Sequence, residues 1–362
     1  MSVRRRTLVK WLAALPLVGG AASLVALGAA RASNPYYQGP VSDHFDGVNF
    51  FNPGGNPPKG FLDLLKWQTS GKRRDWPERW PSPHADKPPP RVAGSGLRVS
   101  FVGHATVLIQ TAGLNILTDP VWSERCSPVS FAGPKRVNDP GIALSDLPDI
   151  DVVLLSHNHY DHLDLDTLSF LRASHDPLIV TPLGNDTILK AHDGAFRVAV
   201  GDWGDTLDIG PDMKVHLEPA HHWSARGMGD RRNALWAAFV IEGAGGRIYH
   251  VGDTGWHDGI NYRAAREKYG SFRLAILPFG AYEPRDFMRF QHQNPDEAVR
   301  GHLECNAAYT LGHHWGTFQL TDEHIDEQIA DLDAALARHD VGPDTFRRLL
   351  PGEAWDVPQT SA

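Results

Sequence analysis

The chain of 362 residues reads as an α/β protein in which two β-sheets pack face to face beneath covering helices. Three observations predict this class. Short β-branched runs fall into two groups along the chain, helical patterns interrupt them, and the stretch richest in ligand atoms follows directly on an apolar run. That stretch is Ser156-His157-Asn158-His159-Tyr160-Asp161-His162, placed after Val152-Val153-Leu154-Leu155. With 41% hydrophobic residues, a chain of this length can bury a large core.

Residues 1–32 read as an export leader. Arg5-Arg6-Thr7-Leu8-Val9-Lys10 precedes an uncharged segment from Trp11 to Ala30, and Ala30-Arg31-Ala32 fits a small-x-small cleavage site. The pattern resembles a twin-arginine signal, which predicts an exported, periplasmic protein, or a membrane-anchored one if the leader is retained. The leader holds five cations and no acid, so its removal takes the formal charge from −8 to −13. So acidic a body argues against nucleic acid as a partner, because phosphates are met by Lys/Arg surfaces.

Residues 33–94 form a Pro-, Gly- and Trp-rich segment, broken at Asn52-Pro53-Gly54-Gly55 and Pro88-Pro89-Pro90. A short amphipathic helix is predicted at Gly60–Gln68, with Phe61, Leu64 and Leu65 on one face. The segment is expected to lie over the main domain as a strap; the sharper alternative is that its aromatic residues meet lipid.

The main domain is expected over 95–345. Leu97–Phe101, Thr106–Gln110 and Leu114–Thr118 read as a meander, followed by strands at Val152–Leu155 and Leu178–Thr181. A second strand group comprises Arg197–Val200, Lys214–Glu218, Trp236–Glu242, Arg247–Val251 and Leu274–Pro278. Helices are predicted at Leu165–Ala173, Pro295–Leu303 and Asp322–Arg338. In the last, Ile325, Ile329, Leu332 and Leu336 recur at helical spacing and Thr321 serves as N-cap. Residues 346–362 read as a C-terminal tail. Cys126 and Cys305 lie far apart without ligand spacing and read as packing residues, with one disulfide open to them.

The chemistry resides in the histidine-rich stretch. His157 and His159 sit two apart, so in extended chain they face the same way. Asp161 and His162 fall where a helix begins at Leu163–Asp166, which lets the chain fold back over a second ion. No cysteine lies nearby, so cations that accept N and O ligands, such as Zn²⁺, Mn²⁺ or Fe, suit the set. Two such cations lower the pKa of a shared water to near neutrality and clamp both oxygens of a displacement. A hydrolytic enzyme is the function class this implies.

His-x-His-x-Asp-His is the signature of the metallo-β-lactamase superfamily, and the chain resembles its members. The resemblance implies a four-layer αββα sandwich (the metallo-β-lactamase fold) with a dinuclear centre at one edge of the sheets. It also implies three further ligands downstream, matched by Ala220-His221-His222-Trp223, Val251-Gly252-Asp253-Thr254-Gly255 and Gly312-His313-His314-Trp315-Gly316. Spacing alone leaves His221 against His222, and His313 against His314, open. Gly103-His104-Ala105-Thr106, Leu117-Thr118-Asp119-Pro120, Gly133-Pro134-Lys135-Arg136 and Gly280-Ala281-Tyr282-Glu283-Pro284-Arg285 are similar to the N-acyl-phosphatidylethanolamine-hydrolysing phospholipase D family and its bacterial relatives.

Carried over residue by residue, that resemblance implies two divalent cations, zinc first among them. One would be held by His157, His159 and His222, the other by Asp161, His162 and His314, with Asp253 bridging. It places Asp161 as the group orienting a hydroxide between the ions, His292 at the substrate, and Asp119 behind a ligand imidazole. Tyr160 and Tyr282 are candidate substrate contacts. The implied substrate is a phospholipid, or another small molecule, met with peripheral membrane contact. Two other readings are a lactonase or related carbonyl hydrolase using the same centre, and a non-catalytic envelope binding protein that keeps the fold.

Overall fold

The structure is a computed structural model that describes residues 33–360 apart from Met228. The expected leader, 1–32, lies outside the described residues. Two seven-stranded sheets make the frame. The first uses β1 (Leu97–Gly103), β2 (Thr106–Thr111), β3 (Leu114–Thr118), β4 (Val152–Leu154), β5 (Leu178–Pro182) and β6 (Arg197–Gly201). The second uses β7 (Thr206–Gly210), β8 (Met213–Glu218), β9 (Ala238–Glu242), β10 (Ile248–His250), β11 (Phe272–Pro278), β12 (Ala307–His313) and β13 (Phe346–Arg348). A last strand, β14 (Ala354–Asp356), returns to pair antiparallel with β1.

Alternation along the strands explains why the sheets stack. Val107 and Ile109 of β2 enter the core between the sheets, where they meet Val215 and Leu217 of β8 and Phe239 and Ile241 of β9. Leu108, between them in sequence, faces the other way, with Leu117, Val153 and Ile179, into a layer of Leu168, Leu171 and Leu189. Those last three belong to α2 (Leu165–Ser174) and α3 (Asn185–His192). The outer face of the second sheet is covered by Tyr262, Ala265 and Tyr269 of α4 (Ile260–Tyr269), and by Phe45 and Phe50 of the N-terminal segment. These layers form the αββα sandwich.

The two sheets repeat one plan. In the first, β14-β1-β2-β3 are antiparallel and β3-β4-β5-β6 parallel. In the second, β7-β8-β9-β10 are antiparallel and β10-β11-β12-β13 parallel. The β1–β2 turn is therefore the counterpart of the β8–β9 loop, and the residues after β3 the counterparts of those after β10. Two similar halves exist without any repeat legible in the sequence.

Several expectations are corrected. The segment from 346 onward is no tail: β13 and β14 close one edge of each sheet, and Val357 N donates to Leu97 O. The strand at Arg197 joins the first sheet beside β5, because parallel pairing places it there after α3. The last helix, α7 (Ile325–Arg338), starts three residues later than expected, with His324 rather than Thr321 as its cap. His324 Nδ1 accepts from Asp326 N at 3.2 Å, whereas Thr321 Oγ1 donates to Glu323 Oε1. Between β11 and α7 lie α5 (Arg285–Met288) and α6 (Pro295–Glu304). Both cysteines are free and buried.

The N-terminal segment does pack as a strap, fixed by more than apolar contact. His44 is buried between Asp43 and Asp202, with Nδ1 2.6 Å and Nε2 2.7 Å from their carboxylates, and it stacks on Trp203 at 4.6 Å. Burial alone lowers the pKa of this imidazole, but the two carboxylates outweigh it and raise the value. A raised value in the folded state stabilises the fold below the unfolded pKa of about 6.5, and that contribution is lost as pH rises through the folded value. Urea midpoints measured from pH 6 to 9 for wild type and His44→Gln should therefore show a wild-type-minus-variant difference that shrinks as pH rises and levels off at the alkaline end.

Candidate metal centre

The loops at one end of both sheets meet at a single seam. At the end of β4, Ser156 is held by Asp119 from the end of β3: Asp119 Oδ1 accepts from Ser156 N and Oδ2 from Ser156 Oγ, both at 2.7 Å. Ala237 N donates across to Ser156 O at 3.0 Å, which ties the two sheets here. Gly252, at φ +64°, lies so close that a Cβ would come within 2.8 Å of Ser156 Cβ. Glycine at that position lets Asp253 approach the end of β4. Past the histidine-rich turn, Asp164 caps α2 and also accepts from Trp122 N and Ser123 N, so the turn cannot drift from the β3 loop.

All seven residues singled out as ligands converge on this seam. His157 Nε2 lies 2.8 Å from His159 Nδ1, which lies 3.2 Å from His222 Nε2. Asp253 Oδ2 is central: 3.1 Å from His314 Nε2, 3.2 Å from His162 Nε2 and 3.7 Å from His222 Nε2. Asp161 Oδ2 stands 3.4 Å from His314 Nε2 and 3.6 Å from His162 Nε2. Tetrahedral coordination at about 2.0–2.1 Å would separate ligand atoms by about 3.4 Å. The spacing therefore suits two adjoining cation positions that share Asp253.

Which ring nitrogen faces inward is set from behind. His162 Nδ1 lies 2.8 Å from Asp119 Oδ2, His222 Nδ1 2.9 Å from Gln291 O, and His157 Nδ1 2.9 Å from Ser156 Oγ. Each inward-facing Nε2 is then free to act as a ligand. His162 Nε2, His314 Nε2 and Asp253 Oδ1 are buried without a hydrogen-bond partner among the described residues. Orphaned polar atoms aimed at one space are costly unless a ligand satisfies them, so the residues present fit divalent cations.

The electrostatics point the same way. Burial holds His157 well below the usual imidazole range, His159 at about 3 and His222 at about 4, so these three are neutral donors at pH 7. Against the opposing effect of burial, neighbouring imidazoles keep Asp161 and Asp253 well below the usual carboxylate range. His162 is raised despite burial by Asp253, Asp161 and Asp119, and His314 is raised to about 9 by Asp253 and Asp161. The carboxylates thus demand positive charge at the seam.

The other predicted residues divide. His292 sits over the seam, Nδ1 3.9 Å from Asp253 Oδ2 and its ring 5.1 Å from that of His222. Of the two open pairs, His222 and His314 face inward. His221 stacks on His257 at 4.0 Å, and His313 faces His250 at 5.3 Å. Tyr160 packs on Val121, Cys126 and Phe318, carries the Arg226 guanidinium 3.8 Å above its ring, and lines a cavity of about 470 Å³. Tyr282 is not at the seam: its buried hydroxyl donates to Asp331 on α7 at 2.6 Å.

Two residues were missed. His104 bonds Asp161, and His250 lies 3.8 Å from Asp119. His104 stands within Gly103-His104-Ala105-Thr106, a stretch singled out for its family likeness with no role given to the histidine, whereas His250 ends a strand and carries no separate signal.

The comparisons agree with this geometry. Residues 114–315 match the Beta-lactamase superfamily domain. The chain is 38% identical over 274 residues to N-acyl-phosphatidylethanolamine-hydrolyzing phospholipase D 1 of Caenorhabditis elegans, covering 73% of this chain and 76% of that protein. It is 35% identical over 301 residues to an uncharacterized protein of Mycobacterium tuberculosis, covering 82% and 78%. Among solved structures, a metallo hydrolase of Ignicoccus hospitalis aligns with a TM-score of 0.54 at 20% identity, over 73% of this chain and all of that one. The chain belongs to the metallo-β-lactamase superfamily. It is a metal-dependent hydrolase of that superfamily, with the αββα fold.

Asp119→Asn keeps the shape but turns an N–H donor toward His162 Nδ1, spoiling its tautomer. Cation affinity at the His162 side should fall by about 10- to 100-fold, measured as metal retained after dialysis against graded chelators.

Proposed function

We propose that the protein is a phosphodiesterase of phospholipase D type acting on N-acyl-phosphatidylethanolamine-like lipids, with two zinc ions at the seam. The observation that carries this reading is the likeness to the nematode phospholipase D over 274 residues. His157, His159 and His222 would hold one cation, and Asp161, His162 and His314 the other, with Asp253 between them. Bound there, such cations supply Lewis acidity and a nucleophile at neutral pH.

The remaining work falls to side chains. Asp161, ionised and 14% exposed at its side chain, would orient the attacking water by accepting a hydrogen bond from it. His292, with 15% of its side chain exposed above Asp253, would meet a phosphoryl oxygen or the leaving group. Water adds at phosphorus, the bond from phosphorus to the ethanolamine oxygen breaks, and a proton returns to that oxygen. The products are phosphatidate and an N-acylethanolamine.

The helix α1 (Phe61–Gln68) supports a lipid substrate as partner. Leu62 and Leu65, three apart on one face, are 78% and 49% exposed, beside Lys59, Lys66 and Lys72. The helix is tied to the mouth at both ends. Lys59 O accepts from Arg231, whose guanidinium covers Trp223, and Trp223 packs edge-on to His159 at 4.6 Å. At the other end Trp67 packs at 4.9 Å on Phe287 of α5, the short helix that precedes His292.

The test is a substrate panel: bis(p-nitrophenyl) phosphate, N-acyl-phosphatidylethanolamine in vesicles, a lactone and a β-lactam. Phosphodiester turnover that drops at least ~100-fold in Asp161→Asn is expected; lactone turnover without phosphodiester turnover would overturn the reading. Leu62→Glu combined with Leu65→Glu should lower turnover on vesicles and leave bis(p-nitrophenyl) phosphate hydrolysis unchanged.

A further inference from the structure

We infer that His104 is a positioning residue for the centre: its Nε2–H donates to Asp161 Oδ2 and fixes that carboxylate opposite His162 and His314. The inference rests on the two-cation reading above. The contact measures 2.9 Å, in the range of a charge-assisted hydrogen bond. His104 is 1% exposed, and its other ring nitrogen has no partner among the described residues, so Asp161 is what the imidazole serves. Its ring is held between His314, at 4.0 Å between centroids, and Phe318, edge-on at 5.2 Å.

The backbone points to the same role. His104 adopts φ +56°, a left-handed conformation that is uncommon for residues other than glycine, though histidine enters it more readily than most. Thr317 Oγ1 accepts from His104 N at 2.9 Å, and His104 O accepts from His314 N at 2.7 Å. The turn of the first sheet is thereby clasped to the ligand loop of the second, and His314 itself sits at φ +61°. Left-handed backbone on both sides of one clasp aims both imidazoles at the same carboxylate.

The repeated plan of the two sheets gives independent support. His104 lies in the β1–β2 turn, whose counterpart is the β8–β9 loop that carries His222. Asp119 after β3 has Asp253 after β10 as its counterpart. Each half thus sends one histidine and one aspartate to the seam from matching places. In the second half they would be ligands; in the first half both stand one step behind, His104 on Asp161 and Asp119 on His162.

The test is zinc titration of the full protein against a competing chromophoric chelator, which reads two dissociation constants. In His104→Phe, which keeps the packing and loses the donor, one constant should rise by about 10- to 100-fold and the other stay unchanged. His104→Gln, which keeps a donor, should recover most of the loss. Unchanged constants in the Phe variant, an equal rise in both, or no recovery by Gln would each overturn the role. Wild-type protein that binds only one zinc would instead sink the two-cation reading. Should the Phe variant not fold, His104→Asn decides, since Asn accepts a positive φ but ends short of Asp161: constants equal to those of the Gln variant overturn the inference.

Discussion

Three carboxylates, the buried Asp119 and Asp253 and the mostly buried Asp161, set the terms for everything built around them. Their ionised forms are expensive to bury unless positive charge or donors lie within contact distance. The fold meets that demand from both sheets at once. Residues 104 to 162 bring imidazoles from the first sheet, and residues 222 to 314 bring them from the second. Neither sheet alone carries a complete set, so docking the sheets and assembling the seam are one event. Cation binding there would accordingly be coupled to folding free energy, as it is wherever a site does not exist in the unfolded chain.

The duplicated plan explains how so much polarity can collect without undoing the core. Each half pairs antiparallel strands on one side and parallel strands on the other, so strand-end loops from both halves open at the same end. Phe101, Phe239 and Leu311 belong to the apolar interior between the sheets, while His104 and Asp119 follow directly on the ends of β1 and β3. The N-terminal strap closes the seam's flank: Asn52 Nδ2 donates to His222 O, and Trp236 Nε1 donates to Asn52 Oδ1.

Much of this was legible in the sequence, for reasons that differ by element. The strands around Val107, Ile116 and Val152 are β-branched runs bounded by turns, and their pattern survives in the fold. The histidine-rich turn was legible because four ligand-type residues crowd six positions. Strand β12 was not, because Ala307, Ala308 and Gly312 have little strand propensity, and pairing with β11 overrides it. Helix α4 hid because only Tyr262, Ala265 and Tyr269 are buried in an otherwise charged segment. Tyr282 was misplaced because its bond to Asp331 is a tertiary contact that spacing cannot reveal. The role of His104 was invisible for the same reason: Asp161 is 57 residues away.

Anomalous diffraction from crystals grown with zinc tests the shared seam most directly. Two peaks are expected on either side of Asp253. One should lie about 2.0–2.1 Å from the inward nitrogens of His157, His159 and His222, the other as close to those of His162 and His314. A single peak, or peaks remote from Asp253, would contradict the account.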